Sequence, residues 1–413
     1  MSQPVLRCLL FVPLLLVDLP AQIGSDLDRN VGGVADAWFA ASPNARPEVP
    51  ADLDGYLWSF PDQVRAVVWE SYKEAPLHAT MKKDFEEKKV RSGDYVSPYT
   101  LKTVGTRPAG GWPLFIAMHG GGGVPKGVND SQWRIMQRYY KDQQDVEGYL
   151  YLALRAPTDQ WNGFYTGYVY PLIQNLVRQF LVLGDVDSNR VYIMGYSHGG
   201  YGAFSIGPKM PDLFAAIHSS AAAPTGGQSR ARNLMNTRFT FMIGEKDTAY
   251  GRAARCKEFA ATVEKLKAAH ADRYPVVMEW KAGHGHGGLP DRNKIGEMYG
   301  WTRGPRPTAV SWAPTDGIVK DHFWLRVPDP RAGQSIMADI GAGNRVVLKT
   351  QNIDALELWL DERQVGGEAP LTIDWDGVTI PVTAQASLTT LLETLWARGD
   401  MERAASRRVV LKR

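Results

Sequence analysis

The sequence predicts an α/β protein with a doubly wound, mostly parallel sheet and a small C-terminal antiparallel β domain. Three observations predict it. Between residues 92 and 304, short runs that are apolar on both faces alternate with helix-like segments, the texture of parallel strands covered by helices. Residues 304–321 carry Pro305, Pro307, Pro314 and Gly317 and break that texture. Beyond them, short strand-like runs follow at close spacing, as in antiparallel β structure.

The apolar runs come in order. Pro113–Met118 ends at His119-Gly-Gly-Gly-Gly123, and Gly148–Leu154, Val191–Met194, Ala215–Ser219, Phe239–Ile243 and Val276–Trp280 follow. Between them, Pro171–Leu183 places Leu172, Ile173, Leu176, Val177 and Phe180 on one helical face, with Pro171 suited to the first turn and Gly184 to the stop. Gly200–Pro208 and Arg252–Lys265 are also helix-like. Upstream, residues 25–60 are rich in Ala, Pro, Asp and Gly and read as an irregular lead-in. Asp62–Lys73 reads as a helix with Val64, Val67, Val68 and Tyr72 on one face, and the charged stretch Met81–Arg91 as a solvated helix. Downstream, the strand-like runs are Phe323–Val327, Ser335–Ile340, Arg345–Lys349, Leu356–Leu360, Leu371–Trp375 and Val378–Ile380, with a turn at Gly341–Asn344. The expected organisation is a signal peptide over 1–22, a lead-in with helices over 23–91, the α/β domain over 92–304 and the β domain over 320–413.

Composition bounds the function. Of 413 residues, 44% are hydrophobic and 22% charged, enough for a packed core and against global disorder. The 47 basic and 44 acidic residues leave a net charge of +3 with no long basic block, so no nucleic-acid partner is expected. Arg7 precedes the apolar run Cys8–Val17, the pattern of a short signal peptide and of export to the periplasm or cell exterior. The run is too short for a bilayer span, which needs about 20 residues. The alternative is a buried N-terminal segment of a cytoplasmic protein. Cys256 lies in a charged segment with no motif and reads as a half-buried structural cysteine.

The chemistry gathers at the ends of the apolar runs. Serine is a weak nucleophile at neutral pH and needs a base, an orienter for the base and donors for the oxyanion. Gly195-Tyr196-Ser197-His198-Gly199 follows one strand and precedes a helix, the context of a nucleophile elbow, which makes Ser197 the candidate nucleophile. The His198 N–H and one N–H from the glycine loop, at Gly121 or Gly122, are the candidate oxyanion donors. Asp247 follows the run Phe239–Ile243 and is the candidate acid, with Glu245 its rival. The candidate base lies in Gly283-His284-Gly285-His286-Gly287-Gly288; His286 is preferred for the reach of its loop, with His284 the alternative. A metal at the His-x-His pair would need a third ligand, and none lies near in sequence. Trp161, Phe164 and Tyr165 follow the run Gly148–Leu154 and are candidates for substrate contact.

Several of these blocks carry a resemblance. Ile116–Gly123, Arg190–Gly200, Pro211-Asp-Leu-Phe-Ala-Ala and Gly244-Glu-Lys-Asp247 resemble blocks of serine hydrolases of the α/β-hydrolase superfamily. The similar groups are the polyhydroxybutyrate-depolymerase and feruloyl-esterase-like enzymes and the prolyl-oligopeptidase-like peptidases, and the resemblance covers about residues 95–300. It implies the α/β-hydrolase fold and a Ser-His-Asp triad cleaving carboxylic esters through an acyl-enzyme, without a cofactor. The expected partner is then a small-molecule or polymer ester. The alternatives are a serine peptidase with the same site and a non-catalytic carbohydrate- or surface-binding protein on this scaffold.

Overall fold

A computed structural model describes residues 26–366 and 370–413. The expected signal peptide and Cys8 lie outside the described residues.

The chain enters through helices. α1 (Gly33–Ala40), α2 (Asp54–Ser59), α3 (Pro61–Glu74) and α4 (Ala79–Glu86) precede the first strand. The stretch expected to be an irregular lead-in is therefore folded: Val31, Ala35, Trp38 and Phe39 are buried and pack on Val64, Val68 and Tyr72 of α3. Its helical turns are too short, and too rich in alanine, for a readable period. The expected helix over Met81–Arg91 ends early, at Glu86, and Lys89–Ser92 forms the edge strand β1.

An eight-stranded sheet carries the site. After β1 come β2 (Tyr95–Gly105), β3 (Trp112–Met118), β4 (Gly148–Leu154), β5 (Val186–Tyr196), β6 (Ala216–Ser220), β7 (Arg238–Gly244) and β8 (Val276–Lys281). Their spatial order is β1-β2-β4-β3-β5-β6-β7-β8, with β3 to β8 parallel and β1 and β2 antiparallel at one edge. β2 has no counterpart among the apolar runs, because an edge-side antiparallel strand alternates polar residues such as Thr100 and Lys102 with buried ones. Five helices follow within this domain: α5 (Lys126–Met136), α6 (Val169–Leu183), α7 (His198–Lys209), α8 (Arg252–Ala269) and α9 (Lys294–Tyr299). Residues of α6, α7 and α8 share one core with Leu114, Ile116 and Ile193; Met136, Ile295 and Met298 share another with Phe115, Tyr192 and Met194. The two faces of β3 and β5 are thus both covered. The strand order reverses at β3, between β4 and β5, and in open α/β sheets the crevice for a ligand lies at the carboxyl ends beside that reversal.

The C-terminal part forms two further sheets. The strands are β9 (Ala309–Trp312), β10 (Asp321–His322), β11 (Leu325–Arg326), β12 (Ser335–Gly341), β13 (Arg345–Gln351), β14 (Ala355–Leu360), β15 (Leu371–Trp375), β16 (Val378–Val382) and β17 (Arg407–Lys412). One sheet runs β10-β11-β14-β17 and the other β16-β15-β13-β12-β9. They enclose an apolar core that includes Trp312, Leu325, Ile336, Leu348, Leu358, Trp375 and Val409. All pairings are antiparallel except β13 with β15. Two features depart from the sequence expectation. β9 joins this unit although it precedes residue 320, and the chain leaves the sheets as α10 (Leu388–Arg398), with Ser387 capping the Thr390 N–H at 3.1 Å.

α10 does not pack on the β unit alone. Leu388, Leu391, Leu392 and Leu395 share a core with Val64 and Val68 of α3. Charged contacts reinforce the seam. Arg65 Nε donates to Glu362 Oε1 at 2.7 Å and Arg65 NH1 to the Ala404 carbonyl at 3.1 Å, all out of solvent. Burial alone would raise the Glu362 carboxyl, but the hydrogen bonds and charge of Arg65, with Ser406, hold it down to about 2. A folded-state pKa below the unfolded 4.5 means this stabilisation is complete above pH 4.5 and is lost as pH falls toward 2. Arg65→Ala is expected to cost about 3–5 kcal/mol, since it strands a buried carboxylate. Urea titrations of both proteins at pH 7 and pH 3 check this. The deficit should be smaller at pH 3, and an equal deficit at the two values would refute the ion-pair origin.

Candidate active site

Ser197 stands between the last residue of β5 and the first of α7, at φ 53° and ψ −111°. A side chain in that region is strained, typically by about 1–3 kcal/mol, and is held only when its surroundings over-determine it. They do so here. The Ser197 N–H donates to the Ser220 carbonyl at the end of β6, and the Gly199 N–H to the His119 carbonyl after β3, both at 2.9 Å. The flanking glycines allow the close approach. A Cβ on Gly195 would lie 2.2 Å from the Gly199 carbonyl, and one on Gly199 would lie 2.1 Å from the Met118 carbonyl. Both clashes are with backbone and cannot relax by a rotamer change. Gly199→Ala is expected to cost about 3 kcal/mol or more, measured as a fall in the urea midpoint. An unshifted midpoint would mean the elbow is not packed in this way.

The base candidate arrives on the loop after β8. His286 Nε2 lies 3.0 Å from Ser197 Oγ, and His286 Nδ1 lies 2.8 Å from Asp247 Oδ2. The His loop crosses the end of β7 so closely that a Cβ on Gly244 would meet the Gly285 carbonyl at 2.4 Å. The Tyr196 hydroxyl donates to the His286 carbonyl at 2.6 Å, so the residue before the serine also holds the backbone of the histidine. His284 is exposed, and its Nδ1 faces the Ala282 carbonyl at 3.0 Å. The metal reading of the pair loses its footing, because both ring nitrogens of His286 are engaged by Ser197 and Asp247.

Asp247 is buried on the turn after β7. Its Oδ1 accepts from Arg252 NH1 at 2.5 Å, and Arg252 Nε donates to the Tyr201 hydroxyl at 3.1 Å. Glu245, the rival acid, instead accepts the Gly283 N–H at 2.8 Å and braces the His loop. Arg252 and Tyr196 carry no signal in the sequence: neither belongs to a spacing rule, and each acts only because three loops meet.

The oxyanion side differs from expectation at one residue. Gly121, Gly122 and Gly123 all take positive φ, at 104°, 78° and 64°. The Gly122 N–H, expected to be available, is donated to Asn129 Oδ1 at 2.8 Å, and the Gly123 N–H goes to the Asp159 carbonyl at 2.8 Å. Of the two loop candidates, that leaves Gly121. On the other side, the His198 N–H is one of the first donors of α7, which have no partner inside the helix. The His198 ring is buried against Phe164 and stacks at 6.3 Å on Trp161; burial, with the nearby His119, drops its pKa to about 3. Burial likewise lowers His119 to about 4. Both rings are neutral at ordinary pH. His119 Nε2 accepts the Ala156 N–H at 3.1 Å, so its Nδ1 carries the proton to the Gly120 carbonyl at 2.6 Å.

The aromatic candidates separate. Phe164 is fully buried under α7 and cannot meet a substrate, a correction that follows from its loop turning inward against Gly202. Tyr165 is half-buried beside Tyr201, at 6.1 Å between rings. Trp161 is 43% exposed and contacts Tyr250, itself 71% exposed, at 5.7 Å. Tyr250 was not expected at the site; it lies on the turn after Asp247, at φ 55°. Cys256 is fully buried rather than half-buried, with Sγ 3.2 Å from the Ala222 carbonyl. Among the described residues, no helix is long and apolar enough to cross a membrane.

No protein-family model matches the chain, and no curated protein does. Solved structures similar to it include a thermostable esterase, at 19% identity and a TM-score of 0.42, covering 52% of this chain and 62% of that one. The chain thus spans less than two thirds of that esterase's length. Others are the poly(3-hydroxybutyrate) depolymerase from Bordetella parapertussis, at 20% identity, TM-score 0.34, 48% of this chain and 80% of that one, and an acetyl xylan esterase from Aspergillus awamori, at 14% identity, TM-score 0.34, 49% and 94%. The fold, a mostly parallel sheet with a strand-turn-helix serine elbow at its reversal point, is the α/β-hydrolase fold expected from the sequence.

Proposed function

We propose that this chain is a serine hydrolase that cleaves carboxylic esters through an acyl-enzyme. One observation carries the reading: the unbroken run from Ser197 Oγ to His286 Nε2 at 3.0 Å and from His286 Nδ1 to Asp247 Oδ2 at 2.8 Å. Each distance suits a hydrogen bond, and each group has the chemistry its neighbour needs.

In this mechanism His286 Nε2 takes the Ser197 hydroxyl proton as Oγ attacks the ester carbonyl carbon. The carbonyl π electrons move onto oxygen, where the N–H groups of His198 and Gly121 stabilise the charge. The intermediate collapses, the C–O bond to the alcohol breaks, and His286 returns the proton to the leaving oxygen. A water then repeats the sequence on the acyl-Ser197 ester and releases the acid. The His286 side chain is 41% exposed, so water reaches the base without an opening step. Asp247 accepts from His286 Nδ1, holding the Nδ1–H tautomer and the developing imidazolium. Arg252 fixes its second oxygen and compensates its buried charge. Trp161 and Tyr250, exposed and in contact with each other, would serve as contacts for the substrate.

A panel of p-nitrophenyl acyl esters and peptidyl anilides tests the reading. Ester turnover that disappears in Ser197→Ala is the expected result. Anilide turnover exceeding ester turnover would make the chain a peptidase with the same site. No turnover of either class, with no fluorophosphonate labelling of the wild type, would favour a binding protein.

A further inference from the structure

We propose that Asn129 is a positioning residue for the oxyanion hole, acting through the backbone of the glycine loop. The inference rests on the serine-hydrolase reading above.

The loop His119–Gly123 has three consecutive residues at positive φ, a conformation that glycine adopts at little cost and does not by itself enforce. Something outside the loop must choose one arrangement, or the Gly121 N–H would not be aimed before substrate arrives. Electrostatic stabilisation of an oxyanion depends on donors fixed in advance. Asn129, on α5, is 1% exposed, and its amide ties this loop to the residue that follows it and to Asp159. Its Oδ1 accepts the Gly122 N–H at 2.8 Å. Its Nδ2 donates to the Val124 carbonyl at 3.0 Å and to Asp159 Oδ1 at 2.9 Å. The orientation of the amide is unambiguous, since a flipped group would set its NH2 against the Gly122 N–H and its oxygen against two acceptors.

The bond to Gly122 has two consequences. It removes Gly122 from competition for the oxyanion, and it fixes the peptide that follows Gly121. The same oxygen would lie 2.4 Å from a Cβ on Gly121, so Asn129 closes the space that φ 104° already reserves for glycine at residue 121. The support continues outward. Asp159 also pairs with Arg155, whose Nε donates to Asp130 at 3.1 Å, and the Asp159 carbonyl holds the Gly123 N–H. Arg155 is itself buried, so the chain guanidinium–carboxylate–amide–glycine is anchored in the fold rather than in solvent. Nothing in it touches the reacting atoms, and its effect is on the aim of the Gly121 N–H.

A lost oxyanion donor typically costs about 10²–10³ in kcat, and a misaimed one less. The test compares Asn129→Ala and Asn129→Asp with wild type on one p-nitrophenyl ester and on its thionoester, in which sulfur replaces the carbonyl oxygen. Sulfur is a weak hydrogen-bond acceptor, so the ratio of ester to thionoester turnover reports the oxyanion donors. Asn129→Ala is expected to lower kcat by about 10–100-fold with KM within about threefold, and to lower the ester-to-thionoester ratio by at least fivefold. Asn129→Asp keeps the acceptor for Gly122 but loses both donors and faces Asp159, so it should fall between. If Asn129→Ala does not fold, the ratio in Asn129→Asp decides. A kcat within twofold of wild type, or a lower kcat with an unchanged ratio, overturns the proposal. Wild-type protein that neither turns over the ester nor takes a fluorophosphonate label would overturn the hydrolase reading instead.

Discussion

Ser197→Ala is expected to lower kcat for ester hydrolysis by on the order of 10⁵–10⁶-fold and to abolish fluorophosphonate labelling, with little loss of stability. The size follows from the coupling of the groups. In the proposed mechanism Ser197 Oγ is the one atom of the hydrogen-bonded run that attacks carbon, and without it His286 and Asp247 would have nothing to activate. Residual turnover would come from the oxyanion donors and binding alone, roughly 10³–10⁴ over water. The loss should fall on kcat, since removing one oxygen leaves the other groups around the site unchanged. The strained φ of Ser197 costs alanine no more than serine, so the midpoint of urea unfolding should move little. Labelled Ser197→Ala protein would move the nucleophile to another residue.

The second large effect separates two histidines two positions apart. His286→Ala is expected to lose on the order of 10⁵-fold or more in kcat, because the serine proton then has no acceptor. His284→Ala is expected to stay within about threefold of wild type. Its ring faces the carbonyl of Ala282, and what it contributes to the loop is backbone: the His284 carbonyl accepts the Lys246 N–H at 2.8 Å, which alanine retains. Steady-state kinetics of the two single variants, with circular dichroism as the folding control, read the difference directly. Comparable losses in both would mean that His284 positions the loop through its side chain. A reversed order would exchange their roles.

The sequence made much of this legible, because the informative signals are local. Each of β3 to β7 lies inside the covered sheet, so each reads as an apolar run, and the runs lie within a few residues of the observed strands; β8 is an edge strand with Val277 exposed, and its run reads through Glu279. β5 extends back to Val186 through polar residues that no hydrophobic pattern marks. The glycines around Ser197 were readable for the same local reason: strand, turn and helix must close within five residues. The helix Leu388–Arg398 was not readable as part of the N-terminal core. Its apolar face is satisfied by α3, more than 300 residues earlier, and no periodicity states its partner.

At the site, residue types and chain order were determined by the sequence itself: a serine in an elbow, then an acid, then a histidine, each after a strand. Tertiary structure alone decided among equals. It brought His286 rather than His284 to Ser197, because a loop pinned by Gly244, Glu245 and Tyr196 can turn only one of two nearby rings inward. It withdrew Gly122 by giving its N–H to Asn129, and Phe164 by packing it beneath α7. Which of several similar donors or rings is free depends on partners distant in the chain. That information resides in packing, not in the local pattern.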